Sequence, residues 1–551
     1  MKKIIFILGL AAVVLGISCS DVLDLNPADR FSPATVWSTT TTADKYVIGL
    51  YSIFGANTEM RGGDAYASPR LSDAYSDILK STSWNQYNHN FNATLLQETA
   101  FNSNSAGAFE CWSSHYDRIR RENEFLRDAA EFGRKFGEDW LKIRIAEVRF
   151  CRAYAYFMLC RVYGGVILRT EVDGPEQNDK ARSTEEECWG FIINELKELA
   201  PDLPLKWDSD NSGRATQKAA YGLLSRVALY AEKWDVAAQA ARDCATAEGN
   251  LDLSKNGYAK IFELGINSPE VLFAVEFKSS VIDHAYDAYV RPSGDTKELG
   301  KQVYSGFVPT SELVDSYEMA GDGGNFSWEK HGKDPYANRE PRFYATILYN
   351  GADWMGRKIE SFVGGKDGYK AYENAGAAGT TVTGYYLRKY LIDGDKTWVT
   401  SGSGQDWIVL RYAEVLLNKA EALAMENWNK NSAEALQALN DVRARVGLPA
   451  RATADKETFL EYVRHERKVE LAGEGFRYWD LRRWRLAEKV IDGQNVHGVK
   501  ISKQSDGSFT YEQVDADGGH KRIFYDRYYR FAIPLSERSN NSLCTNNDGW
   551  I

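Results

Sequence analysis

Residues 407–484 constrain the fold more than any other stretch, because apolar side chains recur there with helical spacing. In the first segment they fall at steps of three and four, which places them on one face of an α-helix: Val409, Ala413, Leu416, Leu417, Ala420, Leu423 and Ala424. A second helix is predicted from an N-cap at Ser432 to a stop at Gly447, and a third around Phe459 to Leu471. The pattern predicts three packed helices with no obvious catalytic group.

Similar helix pairs precede this block. Residues 216–245 follow the spacing of a tetratricopeptide repeat, although Ala228 and Ala241 stand where that repeat carries large aromatic residues. Three to four such pairs predict a mainly α fold, with a short helical solenoid as its scaffold. We place the scaffold at about 42–56, 110–250 and 405–485, with predicted helix starts at Thr42 and Thr184.

Two long regions interrupt the helical pattern, at residues 57–109 and 251–404. They are rich in Gly, Ser, Asn and Tyr and indicate loop-rich insertions with short strands, such as one at 270–277. Residues 486–551 are predicted to be irregular, with short strands and loops that include YYRFAIPLSE at 528–537. These segments together predict a single domain over residues 41–551.

The N-terminus has the pattern of an export signal. Lys2 and Lys3 precede an apolar run of 14 residues, 4–17, which is too short to span a membrane comfortably. Small residues then lead to Cys19. We predict a bacterial lipoprotein signal at residues 1–18, a lipid on Cys19 and an extended tether over 19–40. The alternative is an ordinary secretory signal followed by an incidental cysteine.

Composition and motifs exclude several functions. A formal net charge of −10 argues against a general nucleic-acid binder. The sequence has no H-E-x-x-H, no G-x-S-x-G in a strand-to-helix context and no phosphate-binding loop. The six cysteines after Cys19 form no C-x-x-C pair and are interpreted mainly as buried thiols. We therefore predict no catalytic residue, no metal and no cofactor; a surface glycoside hydrolase stays as the third hypothesis.

Several of these segments together resemble one family. They are the lipoprotein signal, LDLNP, YVIGLYSIF, the run RYAEVLLNKAEAL to ERKVELAGEGFRYWDLRRW, YYRFAIPLSE and the closing NNDGW. The set is similar to the SusD/RagB family. The resemblance implies a surface lipoprotein of Bacteroidota without enzymatic activity, lipid-anchored in the outer membrane. It further implies glycan binding and a SusC-like TonB-dependent transporter as partner. Peptide uptake and a tetratricopeptide-type interaction scaffold are the alternatives.

The ligand is expected in the loops, because a sugar needs exposed aromatic rings with polar groups beside them. Two loop regions offer both, and the first choice among their residues is Trp84. The candidate ligand contacts are Asp73, Tyr75, Trp84, Tyr87, Asn88, Tyr286, Tyr289 and Arg291. For each aromatic residue, the alternative is packing that anchors its own loop.

Charged residues in the third helix of the block and just beyond it allow two interpretations. They are Glu466, Arg467, Glu470, Glu474 and Arg477. One interpretation is contact with ligand or transporter. The other, which helical spacing favours, is an internal ion network that ties this helix to the repeats.

Overall fold

The fold follows from a computed structural model. It describes residues 32–56, 71–82, 101–174, 179–247, 257–321, 323–372 and 379–550. The predicted signal peptide and Cys19 lie outside these ranges.

Helices provide most of the regular structure, as the periodicity predicted. In chain order they are α1 (Pro33–Val36), α2 (Thr40–Leu50), α3 (Ser52–Ala56), α4 (Trp112–Phe132), α5 (Glu138–Tyr163), α6 (Glu185–Leu199), α7 (Gln217–Tyr230), α8 (Trp234–Thr246), α9 (Gly257–Leu264), α10 (Tyr286–Val290), α11 (Asp295–Leu299), α12 (Ser311–Val314), α13 (Trp328–His331), α14 (Pro341–Thr346), α15 (Trp398–Ser401), α16 (Tyr412–Arg445), α17 (Lys456–Glu470), α18 (Arg477–Arg483), α19 (Ala487–Ile491) and α20 (Leu535–Asn540).

The strands are short and pair only in twos within the described residues. They are β1 (Leu79–Ser81), β2 (Val271–Val275), β3 (Phe307–Pro309), β4 (Ile347–Leu348), β5 (Asp353–Trp354), β6 (Arg357–Lys358), β7 (Tyr386–Leu387), β8 (Trp407–Arg411), β9 (His497–Lys503) and β10 (Phe509–Asp515). The antiparallel pairs are β1 with β3, β2 with β8, β4 with β7, β5 with β6 and β9 with β10.

Helix α5 is the centre of the N-terminal half. Its side chains are buried on nearly all sides, including Phe150, Tyr154 and Phe157, because α4 and α6 both pack against it. Helices α7 and α8 form the predicted tetratricopeptide-like pair, and α8 packs on α16. Ala228 on α7 and Ala241 on α8 are both buried, so the missing aromatic residues allow close helix contact.

Local capping explains where two scaffold helices begin. Thr39 and Thr184 are N-caps of α2 and α6, and each forms a reciprocal capping box with the residue three positions later. The second of these starts was predicted from the sequence. The first helix begins slightly earlier than predicted, because Thr42 is the N3 partner of the box rather than its cap.

Two predictions for the segment 407–446 are wrong. Val409 lies in strand β8, whose five residues are all buried, and not on the helix face. A short apolar run of this kind fits a buried strand as well as a helix. The helix break lies at Asn427 rather than at Ser432: Asn427 has non-helical angles of φ −164° and ψ 93°. Its Oδ1 accepts the backbone N–H of Lys430 at 3.2 Å, which caps the second segment.

A buried ion network holds α17 against its neighbours. Glu470, which is fully buried, accepts hydrogen bonds from Arg342 at 2.9 Å, from Arg411 at 2.6 Å and from Arg445. The other charged residues of the predicted set are paired as well: Glu466 with Arg342 and Arg443, Glu474 with Arg411 and Lys389, Arg467 with Asp480, and Arg477 with Asp77. The structural interpretation of these residues is confirmed.

The C-terminal segment is irregular, as predicted, and contains the hairpin β9–β10. The motif YYRFAIPLSE was predicted to include a strand, and this is wrong. It forms a 3₁₀ turn at Asp526–Tyr529, an extended stretch and the start of α20. Its apolar residues Phe531 to Ile533 are buried against the core instead of pairing in a sheet. The six cysteines from Cys111 to Cys544 are buried free thiols.

Candidate ligand-binding site

The predicted ligand residues fall into three groups. Trp84, Tyr87 and Asn88 lie outside the described residues. Four others are buried: Asp73, Tyr75, Tyr286 and Arg291. Tyr289 is partly exposed.

Asp73 is a structural residue, and its predicted ligand contact is corrected here. Its carboxylate accepts the backbone N–H groups of Gly473 at 2.8 Å, Gly475 at 3.2 Å and Arg477 at 2.9 Å. Both glycines have positive φ, 78° and 79°, so the turn between α17 and α18 depends on them. Burial raises the pKa of Asp73 to about 6, and the three backbone donors oppose that rise. Asp73 therefore anchors its own segment to this turn.

Tyr75 and Tyr286 are also interior residues, so direct ligand contact is wrong for both. The Tyr75 ring lies 4.8 Å from that of Phe109 and 5.9 Å from that of Tyr478, centroid to centroid. The Tyr286 hydroxyl donates to the carbonyl oxygen of Lys389 at 2.9 Å. Burial raises the pKa of Tyr286 well above its ordinary value. Both tyrosines anchor loops to the core, which was the alternative interpretation.

Arg291 is fully buried and is likewise not a ligand contact. Its guanidinium lies 5.2 Å from the ring centroids of both Trp354 and Trp398. Its Nε donates to Asp287 at 2.9 Å, and Nη2 donates to the carbonyl oxygens of Ile392 and Asp395. The polar and aromatic composition of residues 284–294 suggested an exposed loop, but tertiary contacts enclose most of this segment.

Tyr289 and Tyr304 form a partly exposed aromatic pair, which we call the tyrosine face. Their ring centroids are 4.8 Å apart, and the ring planes are inclined by 36°. Buried Ala288, Val303 and Trp398 lie beneath them and fix their position. Each of the two rings thus adds an apolar face and a phenol oxygen to this partly exposed surface.

The two predicted ligand regions meet at this face. Strand β1 pairs with β3, and the backbone N–H of Thr82 donates to the carbonyl oxygen of Gly306 at 3.1 Å. The N–H of Gly306 in turn donates to the carbonyl oxygen of Tyr289 at 2.6 Å. Trp84 follows Thr82 by two positions in the sequence. Gly306 therefore links the backbone of Thr82, the last described residue before Trp84, to the backbone of Tyr289.

Sequence reasoning missed Tyr304. Its signal was a tyrosine followed by Ser305-Gly306 directly before a strand, which marks a turn beside a sheet edge. The neighbouring turn is tight as well: a Cβ on Gly379 would lie 2.0 Å from the carbonyl oxygen of Tyr304. This close approach places the backbone of Gly379 directly against that of Tyr304.

Comparison with known proteins decides the family. The model of the SusD family matches residues 269–550, which is half of the chain. The chain belongs to the SusD family. A second model, described as "Starch-binding associating with outer membrane", matches residues 21–229 of this SusD-like chain. In the described residues, none of the helices is long and apolar enough to cross a membrane.

Individual relatives are similar over most of the SusD-like chain. A SusD-like protein of Bacteroides ovatus is 25% identical, and the alignment covers 94% of this chain and 90% of that protein. A crystal structure of a SusD-like protein from Bacteroides fragilis superimposes with a TM-score of 0.79 at 26% identity, covering 94% and 99% of the two chains. A SusD-like carbohydrate binding protein from the same species gives a TM-score of 0.76 at 24% identity, covering 92% and 99%. The mainly α fold is that of these SusD-like structures.

Proposed function

We propose that this protein captures glycans at the cell surface and delivers them to a SusC-like TonB-dependent transporter in the outer membrane. In this proposal the chain is anchored by a lipid on Cys19, faces the cell exterior and binds its ligand without catalysis. Membership of the SusD family and the match to a starch-binding family model support it. The proposal also keeps the predicted division into signal peptide, tether and one domain.

The observation that carries the proposal is the tyrosine face. A sugar ring presents flat C–H surfaces that stack on aromatic rings, and its hydroxyls need polar neighbours. Tyr289 and Tyr304 supply two adjacent rings on a supported backbone. Trp84, Tyr87 and Asn88 follow Thr82 in the chain and are proposed as further contacts. Most of the charged groups of α17 are committed to internal pairs, which leaves the loops as the better ligand surface.

The test is a titration of the soluble form lacking residues 1–19 against a panel of polysaccharides and oligosaccharides. Tyr289→Ala and Trp84→Ala are each expected to weaken or abolish binding, with the helical circular dichroism spectrum retained. Tyr462→Ala is the matched control, because it removes a partly exposed tyrosine from α17. Absence of glycan binding together with clear peptide binding would overturn the proposal in favour of peptide uptake.

The transporter partner needs its own test. A tagged full-length protein purified from outer membranes is expected to bring down a large β-barrel protein. Recovery of the tagged protein without such a partner would favour the tetratricopeptide-type interaction scaffold. Turnover of a glycan that is lost on substitution of a single carboxylate would favour the hydrolase instead.

A further inference from the structure

A small cavity of about 110 Å³ lies between the N-terminal helices and α18, remote in sequence from the tyrosine face. Its walls come from the ends of α5, α6 and α7, from α18 and from Arg530. A single water needs about 10–15 Å³ of such space, so the cavity admits a group of several non-hydrogen atoms. We call it the arginine cavity.

Two guanidinium groups in its wall, those of Arg161 and Arg482, have no acidic partner within 4.0 Å in the part of the chain that the structure describes. The three other arginines that line the cavity are paired: Arg530 with Glu185 at 2.5 Å, Arg483 with Glu421 at 2.5 Å and Arg485 with Asp526 at 3.7 Å. With Glu185 and Glu232, the lining holds five arginines and two acidic residues. Arg482 is only 4% exposed. A buried positive charge without a counter-charge is costly, so this wall favours an anion.

Stacking on Trp479 holds both groups in place. The guanidinium carbon of Arg161 lies 4.0 Å from the Trp479 ring centroid, and that of Arg482 lies 4.7 Å from it. Stacking uses the flat face of a guanidinium and leaves the N–H donors in its plane free to bind an oxyanion. Burial lowers the pKa of Arg482 to about 10, and the charges of Arg161 and Arg530 act in the same direction. The arginine is still protonated at neutral pH.

The unused hydrogen-bonding atoms of these three residues are all donors. Arg482 Nη2 donates to the carbonyl oxygen of Tyr529 at 2.7 Å. Nε and Nη1 of Arg482, Nε of Arg161 and Nε1 of Trp479 are buried and have no hydrogen-bond partner among the described residues. Buried polar atoms are nearly always paired, so four unpaired donors on residues that line one cavity favour a ligand that supplies acceptors.

We propose that the arginine cavity binds a tetrahedral oxyanion, sulfate or phosphate, through Arg161, Arg482 and the indole N–H of Trp479. Such a group has several acceptor oxygens and a negative charge, which match the donors and the two unpaired cations. It arrives either as the free ion or as a substituent on a larger ligand. The site is independent of the glycan-binding proposal, since none of its residues belongs to the tyrosine face.

The test uses the full chain in detergent, titrated by calorimetry with sodium sulfate, sodium phosphate and glucose 6-sulfate, with sodium chloride at matched ionic strength as reference. Saturable binding of an oxyanion with one site per chain is expected, together with a rise of the unfolding midpoint that chloride does not produce. If sulfate or phosphate binds as tightly as glucose 6-sulfate, the ligand is the free ion. If glucose 6-sulfate binds more tightly, the ligand is an oxyanion carried as a substituent. No saturable binding of any of the three overturns the proposal.

Arg482→Gln is expected to weaken oxyanion binding about tenfold or more, because it removes a charge and charged donors. Arg134→Gln, an exposed arginine at another site, is the control with the same loss of charge. Undiminished binding by Arg482→Gln contradicts the assignment. If that variant does not fold, a crystal of the unaltered chain soaked in sodium selenate decides: an anomalous peak between Arg161 and Arg482 is expected, and a peak only elsewhere overturns the site.

Discussion

The helical block α16–α18 and the tyrosine face use their side chains in opposite ways. Glu470 of the block and its three arginine partners, which come from α14, β8 and α16, are enclosed, and their hydrogen bonds stay within the protein. At the tyrosine face, Tyr289 and Tyr304 are partly exposed, and the backbone around them forms internal hydrogen bonds. The difference teaches that the most regular and recognisable sequence is scaffold, while the ligand surface belongs to the least regular part.

The largest expected effect comes from Glu470→Gln, which leaves the guanidinium groups around position 470 without their shared counter-charge. Removing one partner of a buried ion network costs about 3–5 kcal/mol. We expect a loss of unfolding free energy of that size in urea denaturation followed by circular dichroism. Glu461→Gln, on the exposed side of the same helix, is the control. A loss below about 1 kcal/mol would contradict the role of the network as scaffold.

Glu122→Gln tests the scaffold from within, because the carboxyl group of Glu122 is fully buried and neither oxygen has a partner in the described residues. Burial raises its pKa from 4.5 to about 8. The folded state therefore binds a proton that the unfolded state releases, and stability falls as pH rises from 4.5 to about 8. Between pH 5 and 8 the unaltered protein is expected to lose about 3 kcal/mol of unfolding free energy through Glu122. The Glu122→Gln variant is expected not to show this loss. Identical pH profiles of the two proteins, from thermal unfolding, would show that Glu122 has a partner.

Tyr304→Ala tests the other side of the comparison. We expect about tenfold weaker glycan binding, because one of two adjacent rings is removed from the contact surface. The measurement is calorimetry with the glycan that binds the unaltered protein best. Tyr462→Ala serves again as control. Equal affinities of the Tyr304 variant and the unaltered protein would move the ligand away from the tyrosine face.

The smallest effect is expected for Thr184→Ala, which removes the N-cap of α6. Loss of a threonine cap costs about 1 kcal/mol of stability. Glycan binding should not change, since the cap belongs to the scaffold. Thr400→Ala removes an exposed threonine that caps no helix start and is the comparison variant. A fall in glycan affinity with Thr184→Ala would contradict the separation between scaffold and ligand surface.

Local signals in the sequence predicted much of the scaffold. The cap at Thr184, the stop at Gly447 and a strand within 270–277 depend on neighbouring residues, and the structure has all three. Val409 was misplaced because a buried apolar run fits either a strand or a helix. Such errors arise where the nearby sequence permits two structures.

The ligand site was harder to predict, because exposure depends on residues far away in the chain. Arg291 and Tyr286 have the composition of a loop surface, yet Trp354, Trp398 and Lys389 enclose them. Tyr304 could be recognised as a candidate only from its ring contact with Tyr289 in the structure. The residues next to a tyrosine in the sequence do not determine whether its ring stays exposed.

Hydrogen–deuterium exchange with and without a bound glycan tests the central claim most directly. The account predicts that glycan slows amide exchange in peptides covering residues 284–306 and 71–82. It predicts no change in peptides covering α16 and α17. Protection confined to α16–α18, with none at 284–306, would contradict the division between scaffold and ligand surface.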